Sequence, residues 1–95
     1  MNTAKPIIYG LACPKSKQLK YVGTTTQTLT VQLSKHLRDD SSHPLVAWLR
    51  NLHRWGLVPE IFEIERVAPG DDWHELEQFW RTYFRGIGAA LLKDS

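Results

Sequence analysis

The sequence predicts a small α+β domain, with a mostly antiparallel sheet of three strands flanked by three helices in the order ββααβα. Two short apolar runs near the start each carry a tyrosine, and a Pro- and Lys-rich break separates them, which is typical of a β-hairpin. Three later segments repeat apolar residues at helical spacing, and an alternating segment precedes the last of them. Because the chain has 95 residues, we assign residues 1–95 to one domain.

The predicted hairpin has its first strand over residues 7–13 and its second over residues 19–23. The turn between them has the sequence Cys-Pro-Lys-Ser-Lys. Tyr9 and Tyr21 are then cross-strand neighbours, and on the residue pattern alone their packing would stabilise any sheet. The Thr-rich segment 24–28 is predicted to be a turn that leads into a helix.

Two helices are predicted to follow this turn. Thr28 is a suitable N-cap for the first, which runs to about Asp39, and Gln32 and His36 share one of its faces because they are four residues apart. A loop over residues 39–42 precedes the second helix. Ser42 or His43, followed by Pro44, opens that helix, and Gly56 ends it. The apolar residues at helical spacing are Leu29, Leu33 and Leu37 in the first helix, and Leu45, Trp48, Leu49, Leu52 and Trp55 in the second.

The last two elements are a strand over residues 60–67 and a helix over residues 73–85. Phe62 and Ile64 alternate with glutamates in the strand. Asp71 or Asp72 caps the helix, and Glu77 lies at the edge of its apolar face. That face comprises Trp73, Leu76, Phe79, Trp80, Tyr83 and Phe84.

Charge is distributed unevenly along the chain. Residues 1–58 contain eight Lys or Arg and two Asp, a net charge of +6, whereas residues 59–95 contain four Lys or Arg and eight Asp or Glu, a net charge of −4. The basic half favours a polyanionic partner. The acidic half favours either a metal site or carboxylates that only balance the positive charge. Alternatively, the charged residues of both halves form solvated faces without a binding role.

Several classes of site and location are excluded or disfavoured by the sequence. Cys13 is the only cysteine, so neither an intrachain disulfide nor a Cys-rich zinc site can form. There is no HExxH, no CxxC, no phosphate-binding glycine loop and no evident nucleophile triad. No apolar run approaches the ~20 residues of a membrane span, and no signal peptide precedes Tyr9. We therefore expect a cytoplasmic protein with no membrane partner.

These segments together resemble the GIY-YIG nuclease family, which is named for two strand motifs. Residues 7–9 (Ile-Ile-Tyr) are similar to the first motif, with Ile in place of its glycine, and residues 21–23 (Tyr-Val-Gly) to the second, with Val for Ile. Residues 24–37 resemble the first helix of the family, and residues 77–80 (Glu-Gln-Phe-Trp) resemble its Glu-x-x-Trp helix. The resemblance covers nearly the whole chain in the same order, and it implies a three-stranded antiparallel sheet flanked by helices.

The resemblance implies an endonuclease that hydrolyses DNA phosphodiester bonds with one Mg²⁺ or Mn²⁺ ion. Tyr9 would help to activate the attacking water, Tyr21 would shape the site beside the scissile phosphate, and His36 would assist. Glu77 would hold the metal, and a single carboxylate leaves most of the ion's waters in place. The implied catalytic set is Tyr9, Tyr21, Gln32, His36 and Glu77.

The chain departs from the family at two positions. The helix arginine of the family falls at Gln32, and its late asparagine falls near Lys93. Glutamine donates a hydrogen bond to phosphate but carries no charge, and by analogy with other phosphoryl-transfer sites the loss lowers the rate by on the order of 10³–10⁵. Lys35 and Arg38 face away from Gln32 on an ideal helix. Two origins of Gln32 stay open, a natural residue and an engineered inactivation. With either origin, the enzyme would be inactive or attenuated.

The alternative function is a non-catalytic module that keeps the GIY-YIG fold and binds nucleic acid, or binds a protein through exposed tryptophans such as Trp55. DNA specificity would come from the domain itself, from a homodimer or from an additional DNA-targeting partner. Lys17 and Lys20 are also candidates to lower the pKa of a site tyrosine. The predicted DNA-contacting residues are Lys15, Lys17, Lys20, Lys35, Arg38 and His43.

Overall fold

The structure is a computed structural model that describes residues 5–39 and 43–92. The predicted loop residues 40–42 and Lys93 lie outside these ranges. The predicted α+β fold is confirmed, since a three-stranded antiparallel sheet and three helices follow one another in the order ββααβα. Within the two ranges no helix has the length and apolarity needed to cross a membrane. The elements are β1 Ile7–Ala12, β2 Leu19–Thr25, α1 Leu29–Arg38, α2 Pro44–Arg54, β3 Glu60–Arg66 and α3 Trp73–Gly86.

Strand β1 is the centre of the sheet, with β2 on one side and β3 on the other. All six of its residues are buried. Tyr9 lies opposite Gly23 of β2 and Glu63 of β3. Since neighbouring side chains of a strand point to opposite faces, a strand buried along its whole length must be covered on both sides. The helices supply this cover.

The two faces of β1 belong to two apolar clusters. Tyr9 and Leu11 pack with Leu45 and Leu49 of α2, and residues of α1 border this cluster. Ile8 packs with Val22 and Val67 on the other face, where three residues of α3 border the cluster. These three are Leu76, Trp80 and Phe84. The sheet therefore has α1 and α2 on one face and α3 on the other.

Capping side chains begin the three helices where the sequence predicts. Thr28 Oγ1 accepts a hydrogen bond from the Val31 amide at the start of α1. His43 Nδ1 accepts from the Leu45 amide at the start of α2, where Pro44 follows. Asp72 Oδ1 accepts from the His74 amide at the start of α3. Each cap satisfies one amide that the helix itself leaves without a partner.

Strand β2 is longer than predicted, and this changes the surroundings of the tyrosines. Thr24 and Thr25 pair with Ile8 and Ile7 of β1, so they are strand residues rather than part of a turn. Because β1 starts at Ile7, it offers backbone partners that extend the ladder to Thr25. The prediction of a turn over residues 24–28 is therefore wrong for its first two residues, and β1 itself ends one residue early, at Ala12.

The broad apolar face predicted for α3 is only partly buried. Trp73, Phe79 and Tyr83 are 37%, 56% and 47% exposed. Only the residues four apart at positions 76, 80 and 84 reach the core, because a stripe of i, i+4 residues is the part of a helix that contacts a narrow sheet. Phe79 and Tyr83 stack on each other, with 6.4 Å between ring centroids.

Two residues predicted to pack are exposed instead, since Leu37 of α1 is 50% exposed and Phe62 of β3 is 39% exposed. Trp55, which follows α2, is 80% exposed, as the alternative function expects. Trp55 is the C-cap of α2 and Gly56 follows it with φ +72°, so the chain turns away from the core at this point. The buried residues of α2 are Leu45, Val46, Leu49 and Leu52.

Candidate functional site

Four of the predicted site residues meet on the face of the sheet that α1 covers. Tyr9 comes from β1, Tyr21 from β2, and Gln32 and His36 come from α1. The ring centroids of Tyr9 and Tyr21 are 6.2 Å apart, those of Tyr9 and His36 5.9 Å, and those of Tyr21 and His36 5.7 Å. The three rings thus form a nearly equilateral triangle. We call these four residues the Tyr-His cluster.

Hydrogen bonds join the Tyr-His cluster and fix its protonation pattern. Thr25 Oγ1 donates to Gln32 Oε1 at 2.8 Å, so the amide nitrogen of Gln32 points the other way. That nitrogen lies 3.2 Å from His36 Nε2 and 3.4 Å from Tyr9 Oη, and Tyr9 Oη lies 2.7 Å from His36 Nε2. Since the amide nitrogen of Gln32 can only donate, Nε2 of His36 is the acceptor and the ring proton is on Nδ1.

Burial keeps both titratable partners of this cluster neutral. Tyr9 is 1% exposed, and burial, together with the nearby Tyr21 and Glu77, raises its pKa far above the ordinary value of 10.0. Burial likewise lowers the pKa of His36, an effect that Asp39 opposes and His43 reinforces. At neutral pH a phenol therefore donates to an uncharged imidazole. Neither group provides a fixed charge for a phosphate.

The pH dependence of stability tests this account of His36. Because its folded pKa lies below its ordinary value of 6.5, the unfolded chain binds this proton more readily. The contribution of uncharged His36 to the free energy of unfolding is complete above about pH 6.5. It is lost as the pH falls from there toward the folded pKa, with a slope of at most about 1.4 kcal/mol per pH unit. Urea titrations at pH 7, 6 and 5 should show a steeper loss for the unmodified chain than for His36→Gln. Parallel pH profiles would contradict the assignment.

Gly23 leaves room for the side chains of both Tyr9 and Tyr21 beside the β2 backbone. A Cβ atom at this position would lie 2.8 Å from Tyr9 Oη and 2.8 Å from Tyr21 Cε2. Both distances are far shorter than a normal contact between nonbonded atoms, which is 3.5–4.0 Å for carbon. The hydroxyl of Tyr9 therefore occupies the space that a side chain at position 23 would need.

Substituting Gly23 should consequently disturb the Tyr-His cluster. We expect Gly23→Ala to lower the free energy of unfolding by about 1–3 kcal/mol, the usual cost of overpacking a filled site. Gly86→Ala is the matched control, since a Cβ at Gly86, the last residue of α3, meets nothing within 4 Å. Equal effects of the two substitutions in urea denaturation would show that the contact at Gly23 is unimportant.

Glu77 lies on the other side of β2 and both of its carboxylate oxygens are engaged. Thr24 Oγ1 donates to Oε1 at 2.5 Å, and Arg81 Nη2 donates to Oε2 at 2.8 Å. The side chains of Glu77 and Arg81 are each 15% exposed. Arg81 Nη2 also lies 3.1 Å from the Val22 carbonyl oxygen, which ties the pair to β2. A second polar group is thus formed by Glu77, Arg81 and Thr24. We call Glu77 and Arg81 the Glu-Arg pair.

This arrangement does not fit the divalent ion that the resemblance implies at Glu77. A divalent ion at this carboxylate would meet the positive charge of the Arg81 guanidinium, which is already the cation beside it. Across residues 5–39 and 43–92 no three His, Cys, Asp or Glu side chains gather as a metal site would require. We therefore derive no chemical step through a metal.

The predicted DNA-contacting residues come from the hairpin, from α1 and from the start of α2. Lys15, Lys35 and Arg38 are exposed. Lys17 forms an exposed ion pair with Glu60 at 2.7 Å, at the turn of the hairpin. His43 caps α2 through Nδ1.

The prediction that Lys17 or Lys20 lowers the pKa of a site tyrosine is wrong for Tyr9. The pKa of Tyr9 is raised, and neither lysine contributes to it. Lys17 binds Glu60, and the charge of Lys20 acts on Cys13, whose pKa is lowered mainly by hydrogen bonds from Ser16. Lys20 falls at the register shift between Leu11 and Ala12, away from the regular ladder.

A cleft of about 540 Å³ opens beside His36, between α1 and α2. Its walls are mostly apolar, and Arg50, His53 and Arg54 of α2 contribute basic groups. Asp39 is the one acidic residue among its lining residues. The cleft therefore combines an apolar floor with positive charge and adjoins the Tyr-His cluster through His36.

Sequence reasoning missed three participants in these groups. The Thr-rich composition predicts a turn at Thr24 and Thr25, whereas the alternation of a strand continued through them places them on opposite faces. Arg81 is four residues after Glu77, the spacing at which a helical Glu and Arg pair, and this spacing is the signal that could have identified it.

The chain matches no known protein family, no curated protein and no solved structure.

Proposed function

We propose that this chain is a GIY-YIG-type DNA endonuclease in an attenuated form. The observation that carries the proposal is the Tyr-His cluster, in which Tyr9, His36 and Gln32 lie at hydrogen-bonding distance. The ring of Tyr21 lies beside them, with its centroid 6.2 Å from that of Tyr9 and 5.7 Å from that of His36. Each comes from the motif that the resemblance assigns to it. Because Glu77 also affects the pKa of Tyr9, the carboxylate lies within electrostatic reach of the same cluster.

The charge around the cluster supports a polyanionic substrate. Arg50, His53 and Arg54 line the cleft next to His36. Lys35 and Arg38 are exposed on α1, the helix that supplies Gln32 and His36. Contacts between such groups and phosphates provide most of the sequence-independent affinity for DNA. A DNA strand that enters the cleft would therefore bring a phosphodiester close to His36 and Tyr21.

The Tyr-His cluster can move a proton in the way that hydrolysis requires. The hydroxyl of Tyr9 can take a proton from a water molecule while it passes its own proton to Nε2 of His36, since the two atoms are 2.7 Å apart. The hydroxide would then attack phosphorus, and the imidazolium would return its proton to the leaving oxygen. The amide nitrogen of Gln32 donates to the same Nε2 atom, which favours the tautomer with an unprotonated Nε2 before the transfer.

Three features of the same groups account for attenuation. Gln32 brings no charge to the phosphate. Tyr9 is almost completely buried, so the site must open before water reaches its hydroxyl. The carboxylate of Glu77 is bound to Arg81 and Thr24. Each feature lowers the population or the reactivity of a competent site without removing the residues that define it.

The second candidate is a non-catalytic module that binds nucleic acid, and the Glu-Arg pair is the observation that favours it. A carboxylate that is already paired with an arginine of its own helix is less available for catalytic chemistry. Trp55, 80% exposed, also offers a protein-binding residue. The two binding modes differ in salt dependence, because phosphate contacts release counterions and protein contacts through an aromatic residue do not.

The proposal is tested by measuring binding and nicking with the unmodified chain. We expect a fluorescein-labelled DNA duplex to bind with an affinity that falls steeply between 50 and 200 mM salt, by about 0.9 in log affinity per log salt for each phosphate contact. Slow nicking of supercoiled plasmid that disappears in Tyr9→Phe would support the enzyme. Binding without nicking would support the module, and absence of salt-dependent DNA binding would refute both nucleic-acid functions.

A further inference from the structure

We infer that Arg81 takes the place of a divalent ion at Glu77, so that the carboxylate expected to hold a metal is closed by a cation of the chain itself. This inference rests on the proposed function, because it concerns the carboxylate of the same site. Arg81 is the residue that blocks metal binding, and its substitution should open the position.

The geometry of α3 and β2 makes Arg81 a built-in partner rather than a chance contact. Glu77 precedes Arg81 by four residues, which is the favourable order for a helical ion pair. The Nη2 atom that pairs with Glu77 also donates to the Val22 carbonyl oxygen, at 3.1 Å. Thr24, two residues further along β2, occupies the remaining carboxylate oxygen. The carboxylate is therefore surrounded by donors from two elements.

Burial favours Arg81 over a metal ion as the partner of Glu77. Both side chains are 15% exposed, so solvent screens their attraction much less than it would at the surface. An incoming Mg²⁺ or Mn²⁺ would meet the positive charge of the guanidinium and would have to displace it. Mg²⁺ also gives up its waters reluctantly and usually binds through one or two carboxylates together with substrate phosphates. A divalent ion that is offered only this one carboxylate does not displace the guanidinium, which is covalently attached to the chain.

The inference predicts that removing the guanidinium creates metal affinity. We expect Arg81→Leu to bind Mn²⁺ at Glu77 at least about tenfold more tightly than the unmodified chain, since one positive charge in contact with the site is removed. Arg85→Leu is the matched control, because Arg85 is an exposed residue of the same helix and its loss changes the net charge equally. Arg81→Leu/Glu77→Gln should lose the gained affinity.

Paramagnetic broadening of amide signals during a Mn²⁺ titration measures this without DNA or activity. In Arg81→Leu the amides of Thr24 and Glu77 should broaden first, whereas in the unmodified chain and in Arg85→Leu they should persist to at least about tenfold higher Mn²⁺. Arg81→Gln, which keeps a polar side chain, replaces Arg81→Leu if the latter does not fold.

Broadening of these amides at the same Mn²⁺ concentration in the unmodified chain would overturn the inference, and so would a gain in Arg81→Leu that survives Glu77→Gln. The failure of DNA binding or nicking would overturn the proposed function instead. The two failures are distinguishable because the metal titration contains no DNA.

Discussion

A chain with both Gln32→Arg and Arg81→Leu is expected to cleave supercoiled plasmid about 10³–10⁵ times faster than the chain with Arg81→Leu alone, which is the range that an arginine contributes in other phosphoryl-transfer sites. Gln32 lies 3.2 Å from His36 and 3.4 Å from Tyr9, so a guanidinium here would face the phosphate beside these groups. A positive charge there stabilises the additional negative charge of the transition state, which a neutral amide does to a much smaller extent.

The cleavage experiment separates charge from fold and from contamination. Nicking is followed in Mg²⁺ and in Mn²⁺ with matched single variants. Gln32→Met/Arg81→Leu is the control for side-chain length, because methionine fills similar space without charge. Tyr9→Phe added to the active variant should abolish cleavage. If the double variant does not cleave in either metal, the chain is not a latent endonuclease.

Replacing Glu77 by alanine is expected to lower the free energy of unfolding by about 3 kcal/mol, the lower end of the range for breaking a buried ion pair. The substitution leaves Arg81, 15% exposed, without its carboxylate and also removes the acceptor of Thr24. Replacing both partners by leucine should restore stability to within about 1 kcal/mol of the unmodified chain, because neither charge then remains uncompensated.

The exposed pair between Lys17 and Glu60 is the matched control for this experiment. Its 2.7 Å separation is similar to the 2.8 Å between Glu77 and Arg81, but its side chains are 65% and 47% exposed. Glu60→Ala should therefore change stability by no more than about 1 kcal/mol. Urea denaturation of the two alanine variants measures the contrast. Equal losses would mean that burial of the Glu-Arg pair does not matter.

The order of elements could be predicted from the sequence because strong local signals mark it. Thr28, His43 with Pro44, and Asp72 lie where helices begin, and each caps its helix as the chemistry of its side chain requires. The hairpin turn is also local, since its hydrogen bonds join Cys13 with Lys17 and with Gln18. Signals of this kind depend on few residues and are not altered by tertiary packing.

Burial could be predicted less well, because it depends on the size of the surface that an element meets. Phe79 and Tyr83 belong to the apolar face of α3 by periodicity, yet they lie beyond the reach of a three-stranded sheet. Thr24 and Thr25 look like turn residues, but β1 provides backbone partners for them. In the first case burial depends on the width of the sheet, and in the second the strand pairing depends on the length of β1.

The Tyr-His cluster could be anticipated in its members but not in its protonation state. The four-residue spacing of Gln32 and His36 places them on one helix face, and strand pairing brings the tyrosines near. The neutral imidazole and phenol follow from burial and from the Thr25 hydrogen bond, which only the assembled fold provides. The engagement of Glu77 likewise needs the distance to Arg81 and the path of β2.

Mapping a DNA duplex onto the chain by NMR tests whether the Tyr-His cluster is a DNA-binding phosphodiester site. Aromatic carbon–proton spectra of the unmodified chain are recorded at low salt while an unlabelled duplex is added. We expect the largest shifts at the rings of Tyr21 and His36 and at the side chains of the adjoining cleft. Shifts confined to Trp55 or to the exposed rings of α3, with Tyr21 and His36 unchanged, would contradict this assignment of the site.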